Sequence, residues 1–409
     1  MMINEGTLRR QHILKQLQLL QADACLLSSS VNLYYLNNRI YKGYCYLPCE
    51  GEAIHFVRRP LDLKAEDIGF PAGETGQKSP GSQPDQAHFH LIRKVEQIPG
   101  ILRELGMAPA ENLMLEGDEL SYAEWTRLQQ CFPGSRLING SHALRKARSV
   151  KTPYEQSLIH RSAELHAASY RSIPRLFRPG MTDIELSIEL ERIMRLNGNL
   201  GLFRTYGADM DVFMGTVLTG DNALVSSPYD FALGGAGHPS NPIGPNGSPI
   251  LPGHSVMIDM AGNFTGYLDD LSRCYSYGKL PEKAYKAHQV ALELQDRLQE
   301  RLKEGEICED LYYFSIDFVA SRGLADCFMG KNQQAGFVGH GVGLVINELP
   351  VLAPKMKDVL EAGMVLAIEP KFVVEGVGAV GVENTFVVGK NQSEKISLLE
   401  EEIIDLTNL

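Results

Sequence analysis

The sequence predicts a two-domain protein of the α/β (α+β) class. Its 409 residues exceed the size of one ordinary hydrophobic core, so we expect two domains. Near the N-terminus, short apolar runs alternate with helical or loop segments, which is typical of an α/β domain. Further along, the pattern of residues 253–259 returns at 363–369, which indicates a duplicated unit in the second domain.

The composition excludes several classes of partner. Apolar residues make up 44% of the chain and charged residues 22%, as in soluble globular proteins, and the net charge of -11 disfavours nucleic acid and anionic membranes. The seven cysteines are scattered and odd in number, which is typical of a reducing compartment. Charged residues interrupt the first twenty positions, and no run reaches the roughly 18 apolar residues that span a bilayer. We therefore expect a cytoplasmic protein.

The first domain is expected over residues 1–145. Apolar residues at near-helical spacing over 7–21 predict an amphipathic helix. Three short apolar runs predict strands, at 24–27, 54–57 and 113–115. The segment 70–86 is rich in Gly, Pro, Ser and Gln, so we expect an exposed loop there.

The second domain is expected over residues 146–409. The boundary falls within a basic connector, 144–153, that ends at Pro153. A proline in the first turn and a capping-box pattern at 182–185 mark two helix starts. Four helices are predicted in the second domain, at 153–175, 182–196, 282–303 and 309–322. The segment 199–253 places aromatic residues among glycines and prolines, and we expect it to wall a substrate pocket rather than to form a surface loop.

Two acids, Asp259 and Asp270, lie in the first copy of the repeated pattern. An apolar run leads into Asp259, a turn follows, and the return strand carries Asp270. If the hairpin folds about Phe264 and Thr265, the two acids pair across the strands and point to one face.

The second copy carries Glu369 and Glu383, which lie at equal distances from Gly376. Four carboxylates in two matched hairpins are therefore predicted to face a shared centre. Buried carboxylates raise one another's pKa and need a cation between them. Arg273 would lie on the opposite face of its strand from Asp270, so a divalent metal ion is the better counter-charge. Asp259 and Asp270 alone would be interpreted as ordinary turn residues.

His340 has the setting of a metal ligand. Glycines on both sides, within residues 336–343, allow the backbone or a ligand to approach the imidazole closely. His238 lies in a stretch rich in glycine and proline, from which it could donate a hydrogen bond to the oxyanion of a tetrahedral intermediate.

These motifs resemble those of the pita-bread metallopeptidases, and specifically the Xaa-Pro peptidase branch of prolidase and aminopeptidase P. The resemblance covers about residues 150–409 and rests on five positions in order, Asp259, Asp270, His340, Glu369 and Glu383. Residues 1–145, with Asn-Leu-Tyr-Tyr-Leu at 32–36, look like the creatinase-type N-terminal domain. The resemblance implies a creatinase-like α/β domain followed by a pita-bread domain with duplicated β-hairpin/helix halves.

The resemblance also implies a metal-dependent exopeptidase that cleaves an N-terminal Xaa-Pro bond with two divalent ions and a water held between them. Manganese is expected first, with cobalt, zinc or iron as alternatives. Asp259 would bind one ion, His340 and Glu369 the other, and Asp270 and Glu383 both. Glu369 would also carry a proton to the leaving nitrogen. By the same resemblance, His238 would contact the substrate, and the chain would form a homodimer.

Two positions depart from the family pattern. Asn347 stands where many relatives have a second histidine, and Gly381 stands where many Xaa-Pro enzymes have an arginine. Asparagine can donate a hydrogen bond to a substrate but cannot carry a proton, so turnover could be slower or the substrate could differ. Two alternatives stay open, a creatinase-like amidinohydrolase and a non-catalytic pita-bread binding protein.

Overall fold

The computed structural model describes residues 4–70, 84–206, 212–229 and 231–407. The chain divides into two compact units, Met1–Arg148 and Ser149–Leu409. All seven cysteines are described, and all are free thiols. Within the described ranges, every helix is too short or too polar to cross a bilayer.

The first unit is built on a six-stranded mixed sheet with the strand order β4-β3-β2-β1-β5-β6. Strand β1 pairs antiparallel with β2 and parallel with β5. The strands are β1 (Ala24–Leu27), β2 (Lys42–Pro48), β3 (Ile54–Arg59), β4 (Phe89–Leu91), β5 (Asn112–Leu115) and β6 (Arg136–Asn139). The helices are α1 (Glu5–Leu19), α2 (Ser30–Asn37), α3 (Ile98–Glu104), α4 (Tyr122–Cys131) and α5 (Ser141–Ser149).

The elements predicted for this unit are present. Helix α1 covers most of the predicted amphipathic segment and buries Ile13 and Leu17, and the three apolar runs form β1, β3 and β5. The loop predicted over 70–86 begins differently, because Phe70 is buried against the guanidinium of Arg9. Most of that loop, 71–83, lies outside the described residues.

The second unit contains two helix-and-sheet halves. The helices are α6 (Pro153–Tyr170), α7 (Ile173–Leu176), α8 (Asp183–Leu196), α9 (Glu282–Arg301) and α10 (Cys308–Ser321). The strands are β7 (Gly215–Thr219), β8 (Ser255–Ala261), β9 (Asp270–Ser276), β10 (Gly339–Gly341), β11 (Glu348–Leu352), β12 (Val365–Ile368), β13 (Lys371–Val374), β14 (Gly378–Gly381), β15 (Asn384–Val387), β16 (Glu394–Lys395) and β17 (Ile404–Asp405).

Each half runs from helices into an antiparallel hairpin, as the repeated sequence pattern predicts. In the first half, α6 and α8 precede a sheet of order β17-β9-β8-β7, and in the second, α9 and α10 precede a sheet of order β11-β10-β12-β15-β16. The predicted capping box at Thr182 is present at the start of α8, and Pro153 lies in the first turn of α6 as predicted. Thr152 forms a second capping box, which the sequence analysis did not predict.

The first acid hairpin, β8 and β9, has a different register from the one predicted. Asp259 lies opposite Ser272, and Asp270 lies opposite Ala261, so the two acids are diagonal rather than direct partners. The predicted centre at 264–265 was wrong by one position, because Gly262 and Asp269 exchange the last pair of backbone hydrogen bonds before the turn. Since the shift is even, both acids still point to one face.

The second hairpin is centred on Gly376, as predicted. Lys371 pairs with Gly381 in the β13–β14 hairpin, and Ile368 pairs with Asn384 in the neighbouring β12–β15 ladder. The pairs of both ladders lie at equal distances from Gly376 along the chain. Glu369 and Glu383 therefore lie opposite each other, between the β12–β15 pairs and the β13–β14 pairs.

Candidate metal centre

The structure brings together the five positions that the sequence singled out. Ligand atoms of Asp270, His340 and Glu383 lie within 4.8 Å of one another, and so do ligand atoms of Asp259, Glu369 and Glu383. We call the first set the histidine group and the second set the carboxylate group. All five residues are buried, and Glu383 belongs to both groups.

A lysine that the sequence analysis missed lies in the carboxylate group. The Nζ atom of Lys371 donates hydrogen bonds to Asp259 Oδ2 at 2.8 Å, Glu369 Oε2 at 2.6 Å and Glu383 Oε2 at 3.0 Å. Its side chain is 0% exposed. The signal was present in the sequence, because Lys371 is two positions after Glu369 in an otherwise apolar run, and alternate residues of an extended chain share a face.

His340 points a free ring nitrogen toward the acids. Its Nδ1 lies 3.1 Å from the carbonyl oxygen of Gly341, which can only accept, so Nδ1 carries the proton of the neutral ring. Its Nε2 lies 3.4 Å from Glu369 Oε1 and 3.7 Å from Asp270 Oδ2. A histidine held in this way directs Nε2 to the place where a metal ion would lie.

Residues of β9 hold Glu383 in place. Ser272 Oγ donates to Glu383 Oε2 at 2.6 Å, and the Arg273 guanidinium donates to the backbone oxygen of Glu383 at 2.8 Å. The other hydrogen bonds of Arg273 go to backbone and amide oxygens. Arg273 therefore supports the backbone and does not neutralise the carboxylates, in agreement with its predicted place on the opposite face.

Burial makes the acids of this centre resist ionisation to different degrees. Burial raises the pKa of Asp270 well above its ordinary value, and the charges of Glu383 and Asp259 raise it further. Burial also raises the pKa of Asp259, although the ammonium of Lys371 opposes that effect. Asp270 is therefore the acid most in need of a cation.

The pKa values of Glu369 and His340 move in the directions expected of an ion pair. Burial alone would raise the pKa of Glu369, but the charge of Lys371 and the hydrogen bond with His340 outweigh burial and lower it. Burial alone would lower the pKa of His340, but its contact with Glu369 and the nearby charges raise it. Burial likewise opposes the charge on Lys371, yet its three carboxylate partners raise its pKa well above the ordinary value.

A cavity opens onto the acids and has aromatic walls. Phe203, Phe231 and Phe337 line it together with both ligand groups. Phe203 and Phe231 belong to the segment 199–253, which the sequence predicted to wall a pocket. Part of that segment, 207–211, lies outside the described residues.

Asn347 also lines the cavity and holds a neighbouring segment. Its Oδ1 accepts a hydrogen bond from the backbone nitrogen of Tyr206 at 2.8 Å, and its Nδ2 donates to the backbone oxygen of Tyr206 at 3.2 Å. The amide therefore positions the backbone next to Thr205, another lining residue.

His238 does not join the acids. It is exposed, its Nδ1 lies 2.7 Å from Ser240 Oγ, and it is absent from the described lining of the cavity. A tight turn causes this, because the backbones of His238 and Asn241 exchange hydrogen bonds and direct the segment along the surface. The expected contact of His238 with the substrate stays a prediction.

The histidine group fits a divalent ion. It offers two carboxylates and one imidazole, which are ligands that manganese, iron and zinc accept. Within the described residues, no donor hydrogen-bonds to the carboxylate of Asp270, although the side chain is only 8% exposed. The carboxylate group differs, because Lys371 already donates to all three of its members.

Comparisons with known families agree with this geometry. The model of Metallopeptidase family M24 matches residues 157–390, which is more than half of the chain. This chain belongs to metallopeptidase family M24. The Creatinase/Prolidase N-terminal domain model matches residues 9–150, so the M24 chain also carries that domain.

Two relatives of this M24 chain are distant in sequence but match most of its length. It is 22% identical to an Xaa-Pro dipeptidase of Pyrococcus furiosus over 93% of this chain and 95% of the relative. It is 23% identical to an uncharacterised peptidase of Bacillus subtilis over 72% of this chain and 75% of the relative.

The structural comparison gives the same fold. A structure of an Xaa-Pro dipeptidase from Bacillus anthracis has a TM-score of 0.77 at 22% identity, with 98% of this chain and 99% of that chain covered. A structure of an X-Pro aminopeptidase from Thermotoga maritima has a TM-score of 0.74 at 18% identity, with 95% and 99% covered. The predicted fold class, a creatinase-like domain followed by a pita-bread domain with two halves, is confirmed.

Proposed function

We propose that this M24 peptidase is a metal-dependent exopeptidase that cleaves the bond between an N-terminal residue and proline. The observation that carries the proposal is the buried histidine group, Asp270, His340 and Glu383, at the end of an aromatic cavity. The names of two relatives, Xaa-Pro dipeptidase and X-Pro aminopeptidase, support the choice of bond.

The three members of the histidine group would hold a divalent ion. When bound, such an ion lowers the pKa of water and polarises a carbonyl oxygen, which are the two requirements of amide hydrolysis. Ser272 and Arg273 fix the orientation of Glu383, so the geometry of the group is set before a ligand arrives.

Glu369 would be the general base. Its lowered pKa keeps it ionised at neutral pH, and it lines the cavity. It would accept a proton from the attacking water and return it to the leaving nitrogen as the C–N bond breaks. The sequence also predicts a catalytic role for His238. That role stays a prediction, and the side chain is exposed in this structure.

The cavity walls suit a proline residue after the cleaved bond. The pyrrolidine ring is apolar, and Phe203, Phe231 and Phe337 present aromatic surface beside the acids. Asn347 would act on the substrate through the backbone of Tyr206, because its side-chain amide is hydrogen-bonded to both the nitrogen and the carbonyl oxygen of that residue.

Several finer expectations of the sequence stay predictions. They are manganese as the metal, a homodimer, a cytoplasmic location, and the choice between dipeptides and longer peptides.

The experiment is a substrate series on metal-depleted protein supplied with manganese, cobalt or zinc. Ala-Pro, Ala-Pro-Ala and Met-Ala-Ser would be compared, with release of the N-terminal residue followed by chromatography. We expect cleavage of at least one of the two proline peptides at more than about tenfold the rate of Met-Ala-Ser, since one well-formed apolar contact is worth that factor.

Two other results would contradict the proposal. Hydrolysis of creatine without added metal would favour the amidinohydrolase alternative. Binding of a divalent ion without hydrolysis of any peptide would favour a non-catalytic binding protein.

A further inference from the structure

Lys371 occupies a position that a metal ion would need. Its ammonium group has three N–H bonds, and each of the three carboxylates of the carboxylate group accepts one of them at 2.6 to 3.0 Å. The side chain is 0% exposed. Lys371 is therefore part of the buried centre.

The backbone fixes this lysine in place. Lys371 starts β13 and lies opposite Gly381 of β14, and its backbone oxygen accepts a hydrogen bond from the backbone nitrogen of Met329 at 2.8 Å. A Cβ atom at position 381 would lie 2.7 Å from the Cα of Lys371 and 2.4 Å from the backbone oxygen of Pro370. The missing side chain of Gly381 lets the two strands pair closely at the point where the lysine enters the centre.

An ion on the carboxylate group would compete with the ammonium for the same oxygens. Zinc and ions of similar size lie about 2.0–2.2 Å from carboxylate oxygens. An ion bound to Asp259, Glu369 and Glu383 would therefore overlap the Nζ position of Lys371. Two cations in that volume would also repel each other strongly in a buried site.

The histidine group has no such competitor. The hydrogen bonds of Lys371 reach neither Asp270 nor His340, and the closest basic atom to the Asp270 carboxylate in the described part of the chain is His340 Nε2 at 3.7 Å. Within the described residues, the Asp270 carboxylate accepts no hydrogen bond from an ammonium or guanidinium group, whereas each member of the carboxylate group accepts one from Lys371.

We propose that the centre takes one divalent ion, on Asp270, His340 and Glu383, and that the ammonium of Lys371 stands in the place of a second ion. This inference rests on the metal dependence proposed above and replaces the expectation of two ions. Lys371 is then a positioning residue that holds Asp259, Glu369 and Glu383 in a fixed arrangement.

The test is the number of manganese ions per chain. Full-length protein would be loaded with MnCl₂, desalted and assayed by elemental analysis, and the affinity would be measured by isothermal titration calorimetry. We expect one ion per chain for the wild type. Asp270→Asn should weaken binding at least about hundredfold, and Asp259→Asn should change it by less than about threefold, because only the first substitution removes a metal ligand.

The lysine itself is tested against a matched control. Lys371→Ala removes the ammonium and opens space for a second ion, so this variant should bind two ions per chain. Lys151 is the control, since it is also buried and pairs with Glu348 at 3.1 Å, outside both ligand groups. Lys151→Ala should bind one ion, like the wild type.

The outcomes separate this inference from the proposed function. Two ions in the wild type overturn the inference and leave the peptidase proposal standing. One ion without cleavage of any peptide supports the inference and overturns the peptidase proposal. Absence of bound metal overturns both, and so the wild-type measurement decides the matter even if Lys371→Ala does not fold.

Discussion

The histidine group and the carboxylate group share Glu383 and are both buried, yet they balance their charge differently. The carboxylate group receives three hydrogen bonds from Lys371. In the histidine group, burial and neighbouring acids raise the pKa of Asp270 well above its ordinary value. Under the proposal, the chain itself neutralises one part of this centre and a bound ion would neutralise the other.

A buried acid in the first unit shows that burial alone does not make a metal site. Glu116 is 0% exposed, like the acids of the centre. Its carboxylate accepts hydrogen bonds from the backbone nitrogens of Ser28 and Ser29 and, at 2.6 Å, from the side chain of Asn32. Because neutral donors satisfy it, Glu116 has a structural role and needs no ion.

The largest expected effect separates the two groups by activity. Asp270→Asn should lower kcat/KM at least about thousandfold, because loss of the ion removes several kcal/mol of transition-state stabilisation. Asp259→Asn should lower it about tenfold. Steady-state kinetics on Ala-Pro measures both, and equal losses would contradict the division into two groups.

Folding provides the control for these variants. The amide introduced by Asp270→Asn would carry no buried charge, so the unfolding midpoint of this metal-free variant should not fall below that of the wild type.

The second effect concerns stability. Lys371→Ala leaves three buried carboxylates without their cation, which should lower the free energy of unfolding of metal-free protein by about 3–5 kcal/mol. Urea denaturation followed by circular dichroism measures the loss. Lys151→Ala, the other buried lysine, should lose a similar amount.

Metal then distinguishes the two lysine variants. Saturating manganese should restore more stability to Lys371→Ala than to Lys151→Ala, because only the first gains an additional ion site. Equal increments would show that the position of Lys371 is not equivalent to a metal position.

The third effect tests whether the cavity beside the histidine group is the substrate side. Asn347→Ala removes two part-buried hydrogen bonds to Tyr206 and should raise KM about tenfold, since each such bond contributes about 0.7 kcal/mol. The value of kcat should change less. A fall in kcat at unchanged KM would instead place Asn347 in contact with the reacting group.

The last effect concerns His55, a buried histidine of the first unit that lies outside the metal centre. His55 of the first unit lies near Tyr41, and burial, with a smaller contribution from His88, lowers its pKa to about 3. Between about pH 6.5 and 3 the unfolded chain binds a proton that the folded chain does not. Stability is therefore lost as the pH falls below about 6.5, by up to about 1.4 kcal/mol per pH unit.

The single tryptophan, Trp125 in α4, reports unfolding of the unit that contains His55. The urea midpoint of unfolding, followed by the fluorescence of Trp125, should decrease more steeply with falling pH in the wild type than in His55→Gln. Identical pH dependence in the two proteins would mean that His55 is protonated in the folded state and would contradict its lowered pKa.

The sequence carried enough information for the fold and for the five positions that meet at the centre. Short motifs at Asp259, His340 and Glu369 and the repeated pattern placed the acids on matched hairpins, and the even register shift between β8 and β9 left their shared face unchanged. Such features depend on local alternation, which a sequence shows directly.

Lys371 and His238 show what a sequence pattern does not determine. The burial of Lys371 depends on the chain leaving one sheet at Glu369 and starting β13, which is a tertiary feature. The surface position of His238 depends on the turn it makes with Asn241. In both cases long-range packing or a local turn decided the direction of a side chain.

The most direct test is a crystal structure of the manganese-loaded protein with anomalous diffraction data. We predict one anomalous peak per chain, in contact with Asp270, His340 and Glu383, and Lys371 Nζ still within hydrogen-bond distance of Asp259 and Glu369. Two peaks, with the lysine displaced from the carboxylates, would contradict this account.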